Sequence, residues 1–281
     1  MFDRVHLINL DRRPDRLAQF WDGFGGCGWP FTPPSRVVAL DGQRIPRPRW
    51  YTEQAGAWGC LQTHLRLYEQ AMDDDLDAIF IFEDDCVFAD DCSGRIEAFF
   101  DHLPPNWEQV YLGGLPRRTS TYPPEQINCH VWRIPVVTGT WAMGLKVSFL
   151  RKIYPFMHEV LRETEPVGSM CHLDRMYAEY HLRHKPRVYA PVPWLVGAKG
   201  GRSDICNRIY TKAVFFNYNA DRTGVECSEM LGVTTDTGVI TPIASMRFRN
   251  GMPVRPSMMT VFNPSRMNIK ILRRMEQLVN A

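Results

Sequence analysis

Short apolar runs alternate with amphipathic segments through the first 205 residues of the chain. A run at 4–10 reads as a strand, and Pro14 after it suits the first turn of a helix. Residues 59–72 carry apolar side chains at helical spacing, and we expect the three aspartates at 73–75 in a loop. Further predicted strands are 36–40, 78–82, 108–112, 130–134, 187–189 and 194–196, and the segment 136–146 is rich in small and β-branched residues. Helices are predicted near 148–162 and 173–183. The first of these helices would be kinked or broken at Pro155.

The run at 78–82 consists of five consecutive apolar residues. Such a run between helices is typical of a central parallel strand that is covered on both faces. Together with the alternation of strands and helices, it predicts an α/β fold with a mainly parallel sheet flanked by helices.

Residues 206–281 change character, so we predict a core domain over 1–205 and a small C-terminal accessory lobe over 206–281. The lobe has turn signals at 236–238 and 250–251, the second inside a predicted hairpin, and an amphipathic helix from about 265 to 279. Lys and Arg outnumber Asp and Glu there by 10 to 5. A basic lobe can contact an anionic acceptor, a membrane surface or nucleic acid, although an ordinary solvated surface has the same composition.

Composition narrows the class of protein but says little about function. The 44% hydrophobic and 23% charged fractions indicate a globular protein and exclude disordered, collagen-like and coiled-coil classes. The eight cysteines include no CxxC pair, which argues against a zinc ribbon or a thioredoxin-like site. The N-terminus runs directly into a predicted strand and no window approaches a spanning helix, so we expect a cytoplasmic protein.

Three adjacent carboxylates, Glu83, Asp84 and Asp85, directly follow the most apolar strand. Ligands bind at the carboxyl ends of strands in open α/β sheets. Side chains alternate along an extended segment, so Glu83 and Asp85 would point together and Asp84 away from them. Two oxygen ligands at this spacing suit Mg²⁺ or Mn²⁺, which would offset the charge of a leaving diphosphate. The alternative is an acidic turn facing water.

The sequence also indicates roles for two arginines, a histidine and two glycines. Arg13 and Arg16, in a turn entering a helix, suit phosphate oxygens, but they also suit a solvated turn. His64 is interpreted as a packed, hydrogen-bonded residue. Gly56 and Gly59 predict close approach of another backbone.

Four blocks in this order resemble glycosyltransferase family 25, the lipooligosaccharide and collagen galactosyltransferase group. They are 5–16 (VHLINLDRRPDR), 39–42 (ALDG), 56–64 (GAWGCLQTH) and 78–88 (AIFIFEDDCVF). Thr63 departs from the serine usual before the histidine but keeps the hydroxyl. The resemblance is clear over about 4–90 and looser through 205.

The resemblance implies a GT-A type, Rossmann-like fold, a UDP-sugar donor and a divalent cation. It implies a nucleotide-sugar half over 1–115 and an acceptor and catalytic half over 116–205. Glu83 and Asp85 would be the metal ligands. By the resemblance, the nucleotide of the donor would lie at Asn9, Leu10, Arg16 and Asp41. Arg13 and Asp84 are further predicted donor-binding residues, and the glycine-rich segment at 200–205 predicts a loop whose Arg202 and Ser203 close over the diphosphate.

An inverting transfer needs a base that takes the proton of the acceptor hydroxyl. Asp174 is the predicted base because it lies in a segment similar to the late aspartate motif of such enzymes, and its alternative role is a helix N-cap. His172 would assist the base or bind metal. Trp141 would stack on the sugar or pack in the core.

The predicted function is therefore transfer of a hexose, galactose or glucose, from a UDP-sugar to an acceptor hydroxyl. The acceptor would be a glycan, a glycolipid, a protein or a modified DNA base. Transfer to DNA would show steep salt dependence, and the remaining alternative is a non-catalytic binding module with the same fold.

Overall fold

The computed structural model describes residues 1–119, 121–165 and 172–205, and beyond these only the backbone of short strands between 209 and 253. The helices are α1 (Pro14–Phe24), α2 (Ala55–Asp73), α3 (Arg95–Asp101), α4 (Val147–Thr164) and α5 (Leu173–His184). The strands are β1 (Arg4–Asn9), β2 (Ser35–Val38), β3 (Ala78–Glu83), β4 (Cys86–Phe88), β5 (Gln109–Pro116), β6 (Glu125–Gln126), β7 (Trp132–Arg133), β8 (Val137–Lys146), β9 (Val188–Ala190), β10 (Val196–Ala198) and β11 (Gly201–Arg202).

An eight-stranded sheet in the order β2-β1-β3-β8-β5-β9-β7-β6 forms the centre of the molecule. The neighbours β2, β1 and β3 are parallel, as are β5 and β9, whereas β8 is inserted antiparallel between β3 and β5. The predicted α/β fold with a mainly parallel sheet is confirmed.

Both faces of the sheet are covered, as the apolar run at 78–82 predicts. Ile79 and Ile81 belong to a core cluster with side chains of α2, α4 and α5. Phe80 and Phe82 belong to a second cluster with side chains of α1 and α3. Because neighbours in a strand point to opposite faces, a strand buried on both faces must be apolar throughout.

Two predictions for individual elements need correction. The predicted break at Pro155 is wrong, because α4 runs from Val147 to Thr164 with Pro155 inside it. Pro155 is exposed, and the buried side chains of Ile153 before it and Phe156 after it anchor the helix on both sides of the missing hydrogen bond. Helix α3 and strand β4 were not predicted, since both are short.

The accessory lobe is described only in part. Backbone strands pair antiparallel at Phe248–Arg249 and Met252–Pro253, which confirms the predicted hairpin. The predicted helix at 265–279 lies outside the described residues, as do the basic side chains on which a DNA acceptor would depend. None of the helices in the described part of the chain has the length and apolar character of a membrane-spanning segment.

A buried histidine of α5 joins two strands of the sheet. His181 donates from Nε2 to the side-chain oxygen of Gln109 on β5 at 2.8 Å, and its Nδ1 accepts the backbone N–H of Val137 on β8 at 3.3 Å. Burial lowers the pKa of His181 to about 3. The neutral imidazole is therefore part of the native packing.

Acidification is expected to destabilise the protein through His181. The unfolded chain takes up this proton near pH 6.5, while the folded chain resists it down to about 3, so stability is lost as pH falls through that window. The effect on the free energy of unfolding is about 1.4 kcal/mol per pH unit. Urea unfolding at about pH 7.5 and about pH 4.5 measures it.

The variant His181→Gln cannot titrate and isolates this contribution. Its stability deficit relative to the native sequence should shrink on acidification. The exposed His158 of α4 supplies the control, because His158→Gln should keep the native pH dependence. A deficit of His181→Gln that is the same at both pH values would contradict the prediction.

Candidate active site

The carboxyl ends of β1, β2 and β3 meet at one edge of the sheet. Ile8 pairs with Glu83, and Asn9 pairs with Val38. The turn at 84–85 and the start of α1 therefore lie beside each other, which places acidic and basic side chains together at the ligand-binding edge of an α/β sheet.

Glu83 is held by two side chains from other elements. Thr140 of β8 donates its hydroxyl to Glu83 Oε1 at 2.5 Å, and His64 Nε2 of α2 lies 3.3 Å from the same oxygen. Burial alone would raise the pKa of Glu83, but the contact with His64 and the hydrogen bond from Thr140 lower it overall. Glu83 is thus fixed in position as an anion.

Asp84 points to the opposite side, toward α1. Its Oδ2 accepts the side-chain amide of Asn9 at 2.7 Å, and its Oδ1 accepts Arg16 Nη1 at 3.1 Å. Burial raises the pKa of Asp84, and Arg16 opposes that rise. Asp84 therefore holds Arg16 in place.

One carboxylate oxygen of the half-buried Asp85, Oδ1, is itself buried and has no hydrogen-bond partner among the residues that the structure describes. Burial, followed by repulsion from Glu83, raises the pKa of Asp85 to about 7. Arg16 opposes this rise for Asp85 and lowers the pKa of Glu83. An acidic turn facing water, the alternative interpretation of 83–85, is excluded by this burial.

Three arginines, two in the loop between β1 and α1 and one in the first turn of α1, surround Asp204 and are called the arginine loop below. Arg13 forms an ion pair with Asp204, Arg12 contacts it at 2.5 Å, and Arg16 lies 3.7 Å from it. Arg12 also pairs with Asp41 at 3.1 Å. The charge of all three arginines is thus offset by carboxylates of the same chain, and the solvated basic turn is excluded.

The segment around Asp204 is held against α2 by close backbone contact. A Cβ on Gly56 would lie 1.8 Å from the Asp204 carbonyl oxygen, which confirms the predicted close approach. Arg16 donates to the Arg202 carbonyl oxygen at 2.6 Å, and Ser203 Oγ accepts the Ile205 N–H at 3.2 Å. The predicted closing loop therefore lies over the arginines.

Asn9 and Leu10 organise the loop from within. Asn9 donates to Asp84 and to the Arg13 carbonyl oxygen, and its own side-chain oxygen accepts Arg36 Nε at 3.0 Å. The Leu10 carbonyl accepts the Arg13 N–H at 2.9 Å. Because both hydrogens and the oxygen of its amide are engaged, Asn9 positions Arg13 and Asp84, and the sequence did not predict this role.

Asp174 and His172 contact different parts of the molecule. Asp174 lies in the first turn of α5 and accepts the Gly139 N–H at 3.4 Å, whereas His172 occupies the N-cap position, so the N-cap alternative for Asp174 is wrong. His172 Nε2 lies 3.2 Å from Glu53. The structure therefore brings His172 to Glu53 and not to the acidic cluster.

The carboxylates of Glu83, Asp85 and Asp174 all lie near one thiol. Burial is the main cause of the raised pKa of Cys60, and the charges of these three carboxylates add to it in that order. The predicted metal ligands and the predicted base therefore lie around the same half-buried thiol. Trp141 packs instead on Gly113 and Gly139 and donates to the Val196 carbonyl oxygen at 3.3 Å, as a core residue does.

Residues 2–128 match the model of glycosyltransferase family 25 (LPS biosynthesis protein). The predicted resemblance to glycosyltransferase family 25 is confirmed.

Family 25 relatives extend the match beyond residue 128. The human protein named inactive glycosyltransferase 25 family member 3 is 30% identical over 215 residues, which cover 69% of this chain and 34% of the human protein. Its mouse counterpart of the same name is 25% identical over 218 residues, covering 69% of this chain and 34% of the mouse protein. The chain thus spans about a third of the length of these relatives.

A solved structure, A197 from STIV, is also similar. It covers 88% of this chain and 97% of its own, at 11% identity and a TM-score of 0.34. At this TM-score the likeness adds nothing to the fold described above.

Several residues of this candidate site were not predicted from sequence. Arg12 lies in the block at 5–16, but Arg13 and Arg16 were the only arginines of that block predicted to bind the donor. Thr140 lay in a segment noted for its small residues. Cys60 and His64 are four apart on a helix, a spacing that places both on one face and that could have indicated a shared role.

Proposed function

We propose that the chain is a metal-dependent glycosyltransferase that moves a hexose from a UDP-sugar to an acceptor hydroxyl. The observation that carries the proposal is the buried, unpartnered carboxylate oxygen of Asp85 beside the anionic Glu83. A buried polar atom without a partner is costly, so its presence next to a second carboxylate favours a ligand there.

The residues present fit a hard divalent cation. Glu83 and Asp85 would hold Mn²⁺ or Mg²⁺, since carboxylate oxygens are the ligands that these ions prefer. When bound, the ion would stabilise the negative charge that develops on the leaving diphosphate. Thr140 and His64 would keep Glu83 oriented, because outer partners of this kind fix the direction of a ligand.

The arginine loop is the proposed phosphate-binding element. Arg16 lies beside the acidic cluster, and Arg12 and Arg13 continue the cationic surface away from it. Guanidinium groups bind phosphate oxygens with two parallel hydrogen bonds, in the way that Arg13 Nε and Nη2 bind the two carboxylate oxygens of Asp15. We propose that donor phosphates replace Asp204 on these arginines.

Asp174 is the proposed base. Glu83, Asp85 and Asp174 all act on the thiol of Cys60, and we propose that the acceptor hydroxyl is bound between Asp174 and the two acidic residues. His172, paired with Glu53, is given no part in the reaction.

A donor screen tests the proposed function. Purified protein is incubated with each UDP-hexose and with Mn²⁺, Mg²⁺ or chelator, and released UDP is measured. We expect release with one hexose, dependent on the cation and abolished by chelator. Release that chelator leaves unchanged would refute metal dependence, and no release with any donor would refute donor turnover.

Removing the carboxylate of Asp204 is expected to tighten UDP binding. Asp204→Asn would free the three arginines from a competing anion, and an ion pair of this exposure is worth about 1 kcal/mol, or roughly fivefold in affinity. Titration calorimetry with UDP and Mn²⁺ measures the change. The exposed Asp91, which pairs with Arg95, supplies the control Asp91→Asn. Weaker binding by Asp204→Asn alone would show that Asp204 supports the site instead.

A non-catalytic binding module is the second candidate function. Two relatives are named inactive, and the arginines are occupied by Asp204 in this structure. Under this alternative the protein binds UDP with Mn²⁺ in calorimetry, but no hexose donor releases UDP in the screen. The two measurements together separate the candidates.

A further inference from the structure

Cys60, His64 and Glu83 form a cluster of three different metal-ligating side chains. The thiol, an imidazole nitrogen and a carboxylate oxygen all lie within 4.8 Å of one another. Cys60 and His64 are four residues apart on α2, so both face the end of β3 where Glu83 lies. His64 is buried and hydrogen-bonded to Tyr68 and Glu83, as predicted, but that role does not account for the thiol of Cys60 beside both groups.

We propose that Cys60, His64 and Glu83 bind Zn²⁺, at a site that is separate from the oxygen site of Glu83 and Asp85 but shares Glu83 with it. Zinc bonds of about 2.0–2.3 Å place neighbouring tetrahedral ligand atoms about 3.3–3.6 Å apart. The separation of 3.3 Å between His64 Nε2 and Glu83 Oε1 already matches that spacing. Because all three atoms lie within 4.8 Å of one another, a shift of about 1 Å would bring the thiol to the same spacing.

The outer contacts of the cluster suit a metal site. His64 Nδ1 lies 3.1 Å from the Tyr68 hydroxyl, and the Tyr177 hydroxyl donates to Tyr68 at 2.7 Å. Hydroxyl groups both donate and accept hydrogen bonds. The two hydrogen bonds can therefore reverse, so that the Tyr68 hydroxyl accepts a hydrogen bond from His64 Nδ1 when Nε2 binds a metal. Thr140 holds the carboxylate of Glu83 in position by donating its hydroxyl to Oε1.

The ligand chemistry selects zinc over the harder cations. A thiolate and an imidazole favour Zn²⁺, whereas carboxylate and water favour Mg²⁺ and Mn²⁺. Binding would convert the Cys60 thiol to a thiolate, and its proton would leave to solvent. The doubly charged ion would offset the charges of Glu83 and of the new thiolate, which otherwise lie together in a buried region.

Sharing of Glu83 has a consequence for activity that rests on the proposed function. Zinc held by Cys60 and His64 would engage Glu83, so Mn²⁺ at the oxygen site would lose one of its two ligands. Zinc would then inhibit sugar transfer even in the presence of Mn²⁺. The binding of zinc itself does not depend on any activity.

Cobalt serves as the spectroscopic probe for binding. Co²⁺ is titrated into the reduced full-length protein, and the near-ultraviolet band of a thiolate bound to cobalt is recorded, followed by displacement with Zn²⁺. We expect the band in the native protein and in Cys129→Ser, a control at an exposed cysteine, and its loss in Cys60→Ser. The variant His64→Gln should bind Co²⁺ at least tenfold more weakly.

Two results would overturn the proposal: no thiolate band in the native protein, or a band that survives in Cys60→Ser. Circular dichroism checks that Cys60→Ser is folded. If it is not, His64→Gln decides, and unchanged Co²⁺ affinity in that variant overturns the proposal. Zinc inhibition of UDP release is measured separately, so an inactive protein that still shows the band contradicts only the proposed function.

Discussion

Asp85→Asn is expected to reduce the rate of UDP release from the sugar donor by about 100-fold or more. Several kcal/mol of transition-state stabilisation would depend on the cation, and each 1.36 kcal/mol changes the rate about tenfold. The substitution keeps the shape of the side chain and removes its negative charge. The buried oxygen that lacks a partner would then belong to a neutral amide, which is a poor ligand for Mn²⁺. Steady-state rates at saturating Mn²⁺, together with Mn²⁺ titration, measure the loss.

The same variant should not be less stable than the native protein in the absence of metal. The pKa of Asp85 is raised to about 7, so its ionised form destabilises the folded state, and stability falls as pH rises from about 4 to about 7. Asp85→Asn removes that penalty. Thermal unfolding of both proteins with chelator at about pH 8 checks this result.

The surface variant Asp91→Asn is the matched control for Asp85→Asn. Asp91 pairs with Arg95 at an exposed position near the acidic turn, so its loss should change neither rate nor stability measurably. Asp85→Asn with a native rate would exclude Asp85 as a metal ligand. A low rate together with a loss of stability would mean that the variant is inactive because it is unfolded.

Much of this site follows from local sequence. The run at 78–82 predicted a central strand because a strand covered on both faces must be apolar at every position, and the residues after such a strand lie at the ligand-binding edge. Glu83, Asp84 and Asp85 were therefore correctly located. The alternation of side chains also correctly separated Asp84 from its neighbours.

The rest of the site could not be predicted because it depends on contacts between distant segments. Asp204 is 191 positions from Arg13, and nothing in the pattern of either segment indicates that they pair. The arginines could be identified as candidates, but not the carboxylate that occupies them. Likewise, Thr140 reaches Glu83 only because β8 is inserted antiparallel beside β3.

His172 shows the opposite failure, in which nearness in sequence was misleading. It lies two positions before Asp174, and that proximity predicted a shared role. In the structure His172 precedes the first turn of α5 and faces Glu53, whereas Asp174 lies within that turn and faces Gly139. The start of a helix changes the direction of the chain, so neighbours on either side of it point to different parts of the molecule.

Asp174→Asn is expected to lower the turnover number for sugar transfer by about 10²–10⁴-fold while the affinity for UDP and Mn²⁺ stays native. The amide can still accept the Gly139 N–H, so the fold of the site should be kept. It cannot take a proton from the acceptor hydroxyl. The affinity should not change because Asp174 contacts neither the arginine loop nor the acidic turn directly. Turnover with saturating donor and calorimetric titration of UDP measure the two quantities.

Glu179→Gln is the control for Asp174→Asn, because it also removes a carboxylate from α5 but one that takes no part in the proposed reaction. Glu179 pairs with Arg183 on the same helix and has no contact with the site, so its loss should leave turnover unchanged. If Asp174→Asn weakened UDP binding as much as it slowed turnover, Asp174 would be a binding residue and another base would be needed. A selective loss of turnover would instead assign the acceptor side of the reaction to the space between Asp174 and the acidic cluster. In that case the cation and the base would act on the same sugar from the two sides of the region around Cys60, which is the arrangement that an inverting transfer requires.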